Sequence, residues 1–183
     1  GVLATGMDRD KRLRLFIDIG TNCEIVLGDG ERLLATAAPA GPAFEAASIR
    51  CGMRAAAGAV EVVRIDDDGL HLQVIEDAIP SGLCGSGLVD AVSELVRCGF
   101  IDGSGRFISE PAAREVAPKI ADRLTTVGDE RVFMLASEAE TGSKAVYLSQ
   151  RDVRELQFAK AAISTGWRLL VEAFGVEPDD IQQ

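Results

Sequence analysis

Short apolar runs separated by turn residues make up the first part of the chain. Leu13–Ile19 (LRLFIDI), Cys23–Leu27 (CEIVL) and Glu31–Thr36 (ERLLAT) each have the length and composition of a β-strand. Gly28–Gly30 suits a tight turn between the last two. The pattern predicts a β-meander. Because the first run is nearly all apolar toward its end, we expect it to be a central strand covered on both faces.

A second group of strands is predicted beyond the break at Pro39–Pro42. Ala59–Ile65 and Leu70–Ile75 predict a hairpin, with the acidic segment Asp66–Asp68 at its turn. The stretch Phe44–Gly58 is rich in small residues, and we expect it to be a loop that holds a short helix.

A helix with one apolar face is predicted at Leu88–Val96, and Gly99 suits the position just past its last turn. Residues 102–130 are polar and contain two prolines, which predicts an irregular insertion. Two more short strands are predicted at Val132–Leu135 and Ala145–Leu148.

The clearest helical pattern is near the end of the chain. Ser149 and Asp152 form a capping-box pattern, which marks a helix start. Apolar residues then keep to one face over Val153–Phe174, and Gly175 ends the pattern.

Composition and charge exclude several classes of function. The chain has 183 residues, of which 47% are hydrophobic, and its formal net charge is −10. That charge argues against a surface that binds nucleic acid or an anionic membrane. No apolar run reaches the roughly 20 residues that span a bilayer. We therefore expect a cytoplasmic globular protein. The chain begins without Met and ends where the start of a new element is expected, which predicts a piece of a longer protein.

The four cysteines are Cys23, Cys51, Cys84 and Cys98. None forms a C-x-x-C pair, so their spacing predicts reduced thiols and neither a zinc nor an iron–sulfur site. Cys23 would be reactive if nearby N–H groups lowered its pKa, but a buried strand cysteine is the simpler interpretation. The lone His71 lies beside acidic residues and is interpreted as a surface histidine of the hairpin.

Asp18–Asn22 (DIGTN) is the sharpest candidate for chemistry. A strand that ends in an acid and continues into Gly20 and Thr21 presents backbone N–H groups and a hydroxyl, and the glycine permits close approach of a phosphate. Asp18 could hold Mg²⁺ through water, because Mg²⁺ prefers carboxylate oxygens and keeps several waters. The alternative is an ordinary hairpin turn at Gly20, Thr21 and Asn22.

Two further segments are candidates. Gly85, Ser86 and Gly87 open the first long helix, where exposed N–H groups favour an anion such as phosphate, although a glycine turn needed only for close packing explains the same residues. Gln157 and Lys160 lie one turn apart on the last helix and could meet a ribose or phosphate. The alternative is a lysine whose stem covers the edge of the core.

The strand–DxGT–strand–turn–strand opening resembles the phosphate-binding hairpin of the actin, sugar-kinase and heat-shock-chaperone ATPase superfamily. Three stretches then resemble, in order, the C-terminal region of a narrower family, the reductive activators of corrinoid proteins. They are FIDIGTNCEIVLGDGERLLATAAPAGPAFEAASIRCGMRAAAGAVE, GLCGSGLVDAVSEL and LSQRDVRELQFAKAAI. The resemblance covers about residues 1 to 181. It implies an α/β fold: a ribonuclease-H-like lobe of that superfamily with an inserted smaller α+β subdomain.

The resemblance also implies a division of the chain and a partner. Residues 1–65 would be the phosphate-loop part of the second ATPase lobe, residues 66–148 the inserted subdomain, and residues 149–183 the helix that returns to the lobe. Members of the family use ATP and Mg²⁺ to help an iron–sulfur electron reduce an inactive Co(II) corrinoid to Co(I). The implied partner is a corrinoid protein or a corrinoid-dependent methyltransferase.

By the same resemblance, two of the candidate segments have a role. Asp18 would be the catalytic group that orients Mg²⁺ through water, and Gly20–Asn22 would hold phosphate. Gln157 and Lys160 would meet the nucleoside. The [2Fe–2S] cluster would lie outside this chain, because the four cysteines do not match its spacing. Cys23 stands where we expect glycine in relatives, which would crowd the phosphate site.

About half a nucleotide site is present, since the first phosphate loop would precede the chain and the glycine pair of the adenosine motif would follow it. We therefore expect no hydrolysis by the isolated chain. Two alternatives stay open. One is a non-catalytic lobe with vestigial nucleotide loops that docks a corrinoid protein or a second copy of itself as a homodimer. The other is a lobe of a sugar or acid kinase.

Overall fold

The computed structural model describes residues 1–45 and 47–182. Residue 46, within the segment predicted to be a loop with a short helix, and residue 183, at the end of the predicted returning segment, lie outside the described residues. For the rest, the chain has a mixed α/β fold with helices and three small sheets.

The residues group into two compact units. The first unit consists of Gly1–Gly41 and Phe158–Gln183, and the second of Pro42–Gln157. The boundaries predicted after residues 65 and 148 come from the family resemblance and stay a prediction.

The first unit contains the predicted β-meander. Its strands are β1 (Arg14–Asp18), β2 (Cys23–Gly28) and β3 (Leu33–Ala38), paired antiparallel in that order. Asp29 shapes the turn between β2 and β3, because its carboxylate accepts the N–H groups of Glu31 and Arg32 at 3.0 and 2.8 Å. The meander predicted from the sequence is confirmed.

The central strand of this sheet is β2, so the expectation of a central β1 is wrong for the described residues. β1 pairs only with β2 there, and its apolar side chains are half-buried. The buried face is formed by Cys23, Ile25 and Leu27 of β2. A helix covers that face at Gly166, where a Cβ would lie 2.6 Å from Ile25 Cδ1. An apolar run thus indicated burial but did not fix the number of neighbouring strands.

The second unit holds two three-stranded sheets. In the first, β4 (Ala59–Asp66) lies between β5 (Gly69–Val74), with which it forms an antiparallel hairpin, and the short parallel β6 (Gly82–Leu83). The acidic turn forms as predicted, with Asp68 N–H donating to the Asp66 carboxylate at 2.9 Å. In the second sheet, β7 (Leu124–Val127), β8 (Glu130–Ala136) and β9 (Val146–Ser149) are antiparallel in that order.

Five α-helices and three short 3₁₀ segments accompany the strands in the described residues. The helices are α1 (Val2–Thr5), α2 (Gly85–Arg97), α3 (Glu110–Val116), α4 (Glu138–Thr141) and α5 (Gln150–Phe174). The 3₁₀ segments are Ile75–Asp77, Ala121–Arg123 and Pro178–Asp180.

Two predictions about local structure are wrong. Residues 102–130 are not irregular, because Ser109 caps α3 by accepting the Ala112 N–H at 3.4 Å and Pro111 falls in the first turn, where proline is tolerated. Phe44–Gly58 forms turns and no helix in its described residues. Small residues there gave no apolar stripe that could hold a helix against a core.

The long helix α5 begins with the predicted capping box. Ser149 N–H donates to the Asp152 carboxylate at 2.8 Å, and Asp152 N–H donates back to Ser149 Oγ at 3.2 Å. Asp152 also accepts the Arg50 N–H at 2.9 Å, which satisfies this fully buried carboxylate. The helix ends, as predicted, at Gly175 with a φ of 82°.

The core of the second unit lies between its sheets and helices. Phe100 and Phe133 meet edge to face with ring centroids 5.2 Å apart. Leu88 and Leu95 of α2 are fully buried. Next to them, Glu94 accepts the Ile65 N–H of β4 at 2.6 Å, which ties α2 to the sheet.

Candidate functional site

The predicted phosphate turn forms as a tight connection between β1 and β2. Asp18 is the last residue of β1 and is exposed, and Gly20, Thr21 and Asn22 lead into Cys23. The Thr21 carbonyl accepts the Gly41 N–H at 3.0 Å, which fixes the back of the turn. The exposed side of the turn therefore carries a carboxylate, a hydroxyl and an amide within five consecutive residues.

A second carboxylate, Glu24, lies beside this turn and was missed by the sequence analysis. Asp18 and Glu24 are directly paired across the β1–β2 hairpin, and both are exposed. Paired residues of an antiparallel hairpin project to the same face, where like charges repel. The signal in the sequence was alternation, because the buried Cys23 and Ile25 flank Glu24.

Cys23 is a buried strand residue, as the simpler interpretation held. It is fully buried, and its thiol donates to the Gly20 carbonyl at 3.3 Å. The thiol thus braces the turn from below, on the face of β2 opposite to Glu24. Alternation along the strand keeps it away from the exposed face of the turn.

The second candidate segment begins α2 as predicted. Gly85 and Gly87 serve close packing, because a Cβ at Gly85 would overlap the Phe44 carbonyl and a Cβ at Gly87 would overlap the Val60 carbonyl. Ser86 between them is exposed. The geometry supports the packing interpretation for the two glycines and leaves Ser86 as the one side chain that faces outward.

Gln157 and Lys160 lie on α5 in different surroundings. Gln157 is half-buried and is held by the Arg154 guanidinium at 2.6 Å and, more weakly, by the Ser104 carbonyl at 3.4 Å. Lys160 is exposed, although the preceding Ala159 is fully buried. The helix therefore presents an anchored amide and a solvent-exposed ammonium one turn apart.

The remaining candidates have structural surroundings. His71 is exposed on β5 and contacts Asp66 at 2.8 Å, so it is the predicted surface histidine. Burial raises the pKa of the Cys51 thiol, and burial also raises the pKa of the Cys98 thiol. In the described part of the chain, no three His, Cys, Asp or Glu side chains converge as a metal site would require. No helix among the described residues has both the length and the apolar character needed to cross a membrane.

Comparison with known proteins gives one family. Residues 12–183 match the family model described as the C-terminal domain of RACo, the ASKHA domain. A curated protein from Eubacterium limosum, "Corrinoid activation enzyme RamQ", is 38% identical over 180 residues, which cover 97% of this chain and 30% of that protein. A Co(II) methylated amine-specific corrinoid protein reductase of Methanosarcina barkeri is 24% identical over 157 residues, 71% of this chain and 29% of that one.

A solved structure has the same fold. It is titled "Reductive activator for corrinoid,iron-sulfur protein", and it matches all of this chain with a TM-score of 0.87 and 38% identity. The match covers 28% of that chain. This chain thus spans less than a third of the length of each of these relatives.

Proposed function

The chain belongs to the RACo C-terminal, ASKHA-domain family, and on that basis we propose that it is part of an ATP-dependent reductive activator of corrinoid proteins. The family predicted from the three ordered motifs is confirmed, and so is the α/β fold class. We propose further that the chain supplies half of the nucleotide site of a longer cytoplasmic parent protein, whose partner is a corrinoid protein.

The names of the relatives support this activity for the whole parent. They are a corrinoid activation enzyme, a corrinoid protein reductase and a reductive activator for a corrinoid, iron-sulfur protein. A [2Fe–2S] cluster would lie outside this chain. Supporting that placement, the buried thiols of Cys23 and Cys84 already donate to the backbone carbonyls of Gly20 and Val60, both at 3.3 Å.

The observation that carries the proposal is the exposed β1–β2 turn. Mg²⁺ is commonly held by one or two carboxylates and several waters, and the paired Asp18 and Glu24 fit that donor set. In the proposed site they would hold the ion through water, and the bound ion would neutralise phosphate charge. The backbone of Gly20–Asn22 would donate to phosphate oxygens.

The nucleoside side of the proposed site is on α5. Gln157 is anchored by Arg154 and Ser104, so its amide keeps one orientation without a ligand. Lys160 is exposed, and among the described residues its three N–H donors have no hydrogen-bond acceptor, so they would serve a ribose or phosphate oxygen. Ser86, exposed at the start of α2, is proposed as a further phosphate contact together with the N–H groups of Gly85 and Gly87.

The proposal is tested in the full-length parent with Asp18→Ala. ATP-dependent conversion of the partner's Co(II) corrinoid to Co(I), followed by its absorbance, should be lost. Asp179→Ala, at an exposed acidic residue of the last 3₁₀ segment, is the matched control and should keep full activation. Unchanged activation by Asp18→Ala would contradict the proposed site.

Calorimetry of the same parent with Mg-ATP separates this function from its alternatives. Tight binding that depends on Mg²⁺ and is lost in Asp18→Ala contradicts a vestigial site. A parent that transfers the γ-phosphate to a sugar or an organic acid would instead be a kinase, and screening of such acceptors measures that directly.

A further inference from the structure

A groove of about 870 Å³ in the second unit is lined by arginines. It lies beside the turn between β7 and β8, next to β9 and the first turns of α5. Its charged residues are Arg50, Arg131, Arg151, Arg154, Asp129 and Glu130. Four guanidinium groups against two carboxylates form a local excess of positive charge in a chain whose net charge is −10.

Two of these arginines contact polar groups at the wall of the groove. Arg50 Nε lies 3.4 Å from the Glu130 carboxylate, and Arg131 Nη1 donates to the Ile108 carbonyl at 3.0 Å. Each recorded contact uses one guanidinium nitrogen of the three. A guanidinium has five N–H donors, so each group keeps further donors for a ligand.

The other two arginines lie on α5. Arg151 Nε is 4.0 Å from the Glu155 carboxylate, and Arg154 Nη1 donates to the Ser104 carbonyl at 2.8 Å. These contacts again use one nitrogen each. A guanidinium presents its donors in a rigid planar fork, so less side-chain entropy is lost for each hydrogen bond that it forms with a ligand.

The groove already accommodates a carboxylate. Glu130 accepts the backbone N–H of Arg151 at 3.2 Å and pairs with Arg50. A side chain of this chain therefore occupies the position that an external carboxylate would take, between a helix N-terminus and a guanidinium. Planar guanidinium groups bind carboxylates in a two-point geometry, so the donor set matches an acidic ligand.

An unpartnered hydroxyl lies beside the groove. Ser48 lines a smaller pocket that shares Arg50 and Arg151 with the groove. Its Oγ is buried and has no hydrogen-bond partner among the described residues. A buried hydroxyl without a partner is costly, so this edge of the groove is incompletely satisfied within the described residues.

We propose that this arginine groove docks an acidic segment of the corrinoid protein partner; the proposal rests on the proposed function. The groove is far larger than one inorganic anion, and six of its ten lining residues are charged, which fits a protein segment better than an enclosed small molecule. The rest of a chain with net charge −10 would repel an acidic partner, so the groove would fix where that partner binds.

The test compares two double variants of the full-length parent. Arg131→Gln with Arg151→Gln removes two groove charges, and Arg114→Gln with Lys144→Gln removes two exposed charges elsewhere in the same unit. At low salt, the groove variant should bind the corrinoid protein about tenfold more weakly than wild type, while the control variant keeps its affinity. High salt should shrink the difference. Arg154 is left intact because it holds Gln157.

Each other outcome overturns the assignment in a distinguishable way. Equal affinity of wild type and groove variant, or an equal loss in the control, overturns the groove alone. A wild-type parent that binds no corrinoid protein overturns the proposed function and the occupant together. If inorganic phosphate displaces the partner from wild type but a glutamate-rich peptide does not, the groove is a phosphate site, and the assignment of an acidic protein segment as its ligand is wrong.

Discussion

Asp18 and Glu24 face each other as a directly paired couple of carboxylates across the β1–β2 hairpin. Both are exposed, and the tight turn Gly20–Asn22 lies between them in the chain. Like charges in this position destabilise a hairpin by a few tenths of a kcal/mol up to about 1 kcal/mol unless a cation offsets them. The pair thus links the stability of the first unit to the proposed Mg²⁺ site.

Neutralising either carboxylate should therefore raise stability without Mg²⁺ and remove the response to it. We expect Glu24→Gln to increase the free energy of unfolding by about 0.2–1 kcal/mol in the presence of a chelator. Added Mg²⁺ should stabilise wild type but not Glu24→Gln or Asp18→Asn. Thermal unfolding with and without Mg²⁺ measures both effects.

The control is Glu31→Gln, in the next turn, which should respond to Mg²⁺ as wild type does. A Glu24→Gln variant that is less stable than wild type in chelator would contradict the predicted repulsion between Asp18 and Glu24.

The start of α2 should tolerate no side chain at its glycines. Gly85→Ala would drive a methyl group into the Phe44 carbonyl, and we expect a loss of roughly 1–3 kcal/mol in the free energy of unfolding. Gly103→Ala is the matched control, since no atom lies within 4 Å of a Cβ there. Urea unfolding measures the difference. Equal stabilities of the two variants would show that the backbone at Phe44 moves aside easily.

Acid should weaken the second unit through Glu140. The Ser137 N–H first, then the Ser137 hydroxyl and the Arg123 guanidinium, lower the pKa of Glu140 from 4.5 to about 2. A carboxyl whose pKa is lower in the folded state stabilises the fold above its unfolded pKa. That contribution should be lost as the pH falls from about 4.5 to about 2.

The variant Glu140→Gln should remove this dependence. The difference in thermal midpoint between wild type and Glu140→Gln should be largest near neutral pH and should close toward pH 2. Glu138→Gln, on the same short helix, should follow the wild-type pH dependence. A constant difference between wild type and Glu140→Gln over this range would show that the Ser137 contacts do not form in solution.

The sequence predicted the elements that have a strong period or a clear end. The meander, the acidic hairpin turn and α5 follow from alternation, from glycine and from the Ser149–Asp152 capping box. The position of β1 at a sheet edge could not be predicted, because an apolar strand has the same sequence pattern whether it pairs with one neighbouring strand or with two. Helix α3 was not predicted because Pro111 was taken as a residue that breaks a helix. Ser109 is the N-cap of α3, so Pro111 lies in the first turn, where proline is tolerated.

The candidate site was predicted only in part. The DIGTN motif identified the turn. The pairing of Glu24 with Asp18 depends on the strand register, which a single sequence does not fix. The packing role of Gly85 and Gly87 depends on Phe44 and Val60, which are distant in the chain. The arginine groove likewise assembles from β8, α5 and the loop at Arg50, and no local motif marks it.

The thiols of this chain have a consequence for electron transfer. Burial raises the pKa of Cys51 and of Cys98, so both stay protonated at neutral pH, and the thiolate is the form that reacts. Cys23 and Cys84 are enclosed. A parent that delivers an electron to a corrinoid would thus contain, in this segment, four thiols that burial keeps in their less reactive, protonated form.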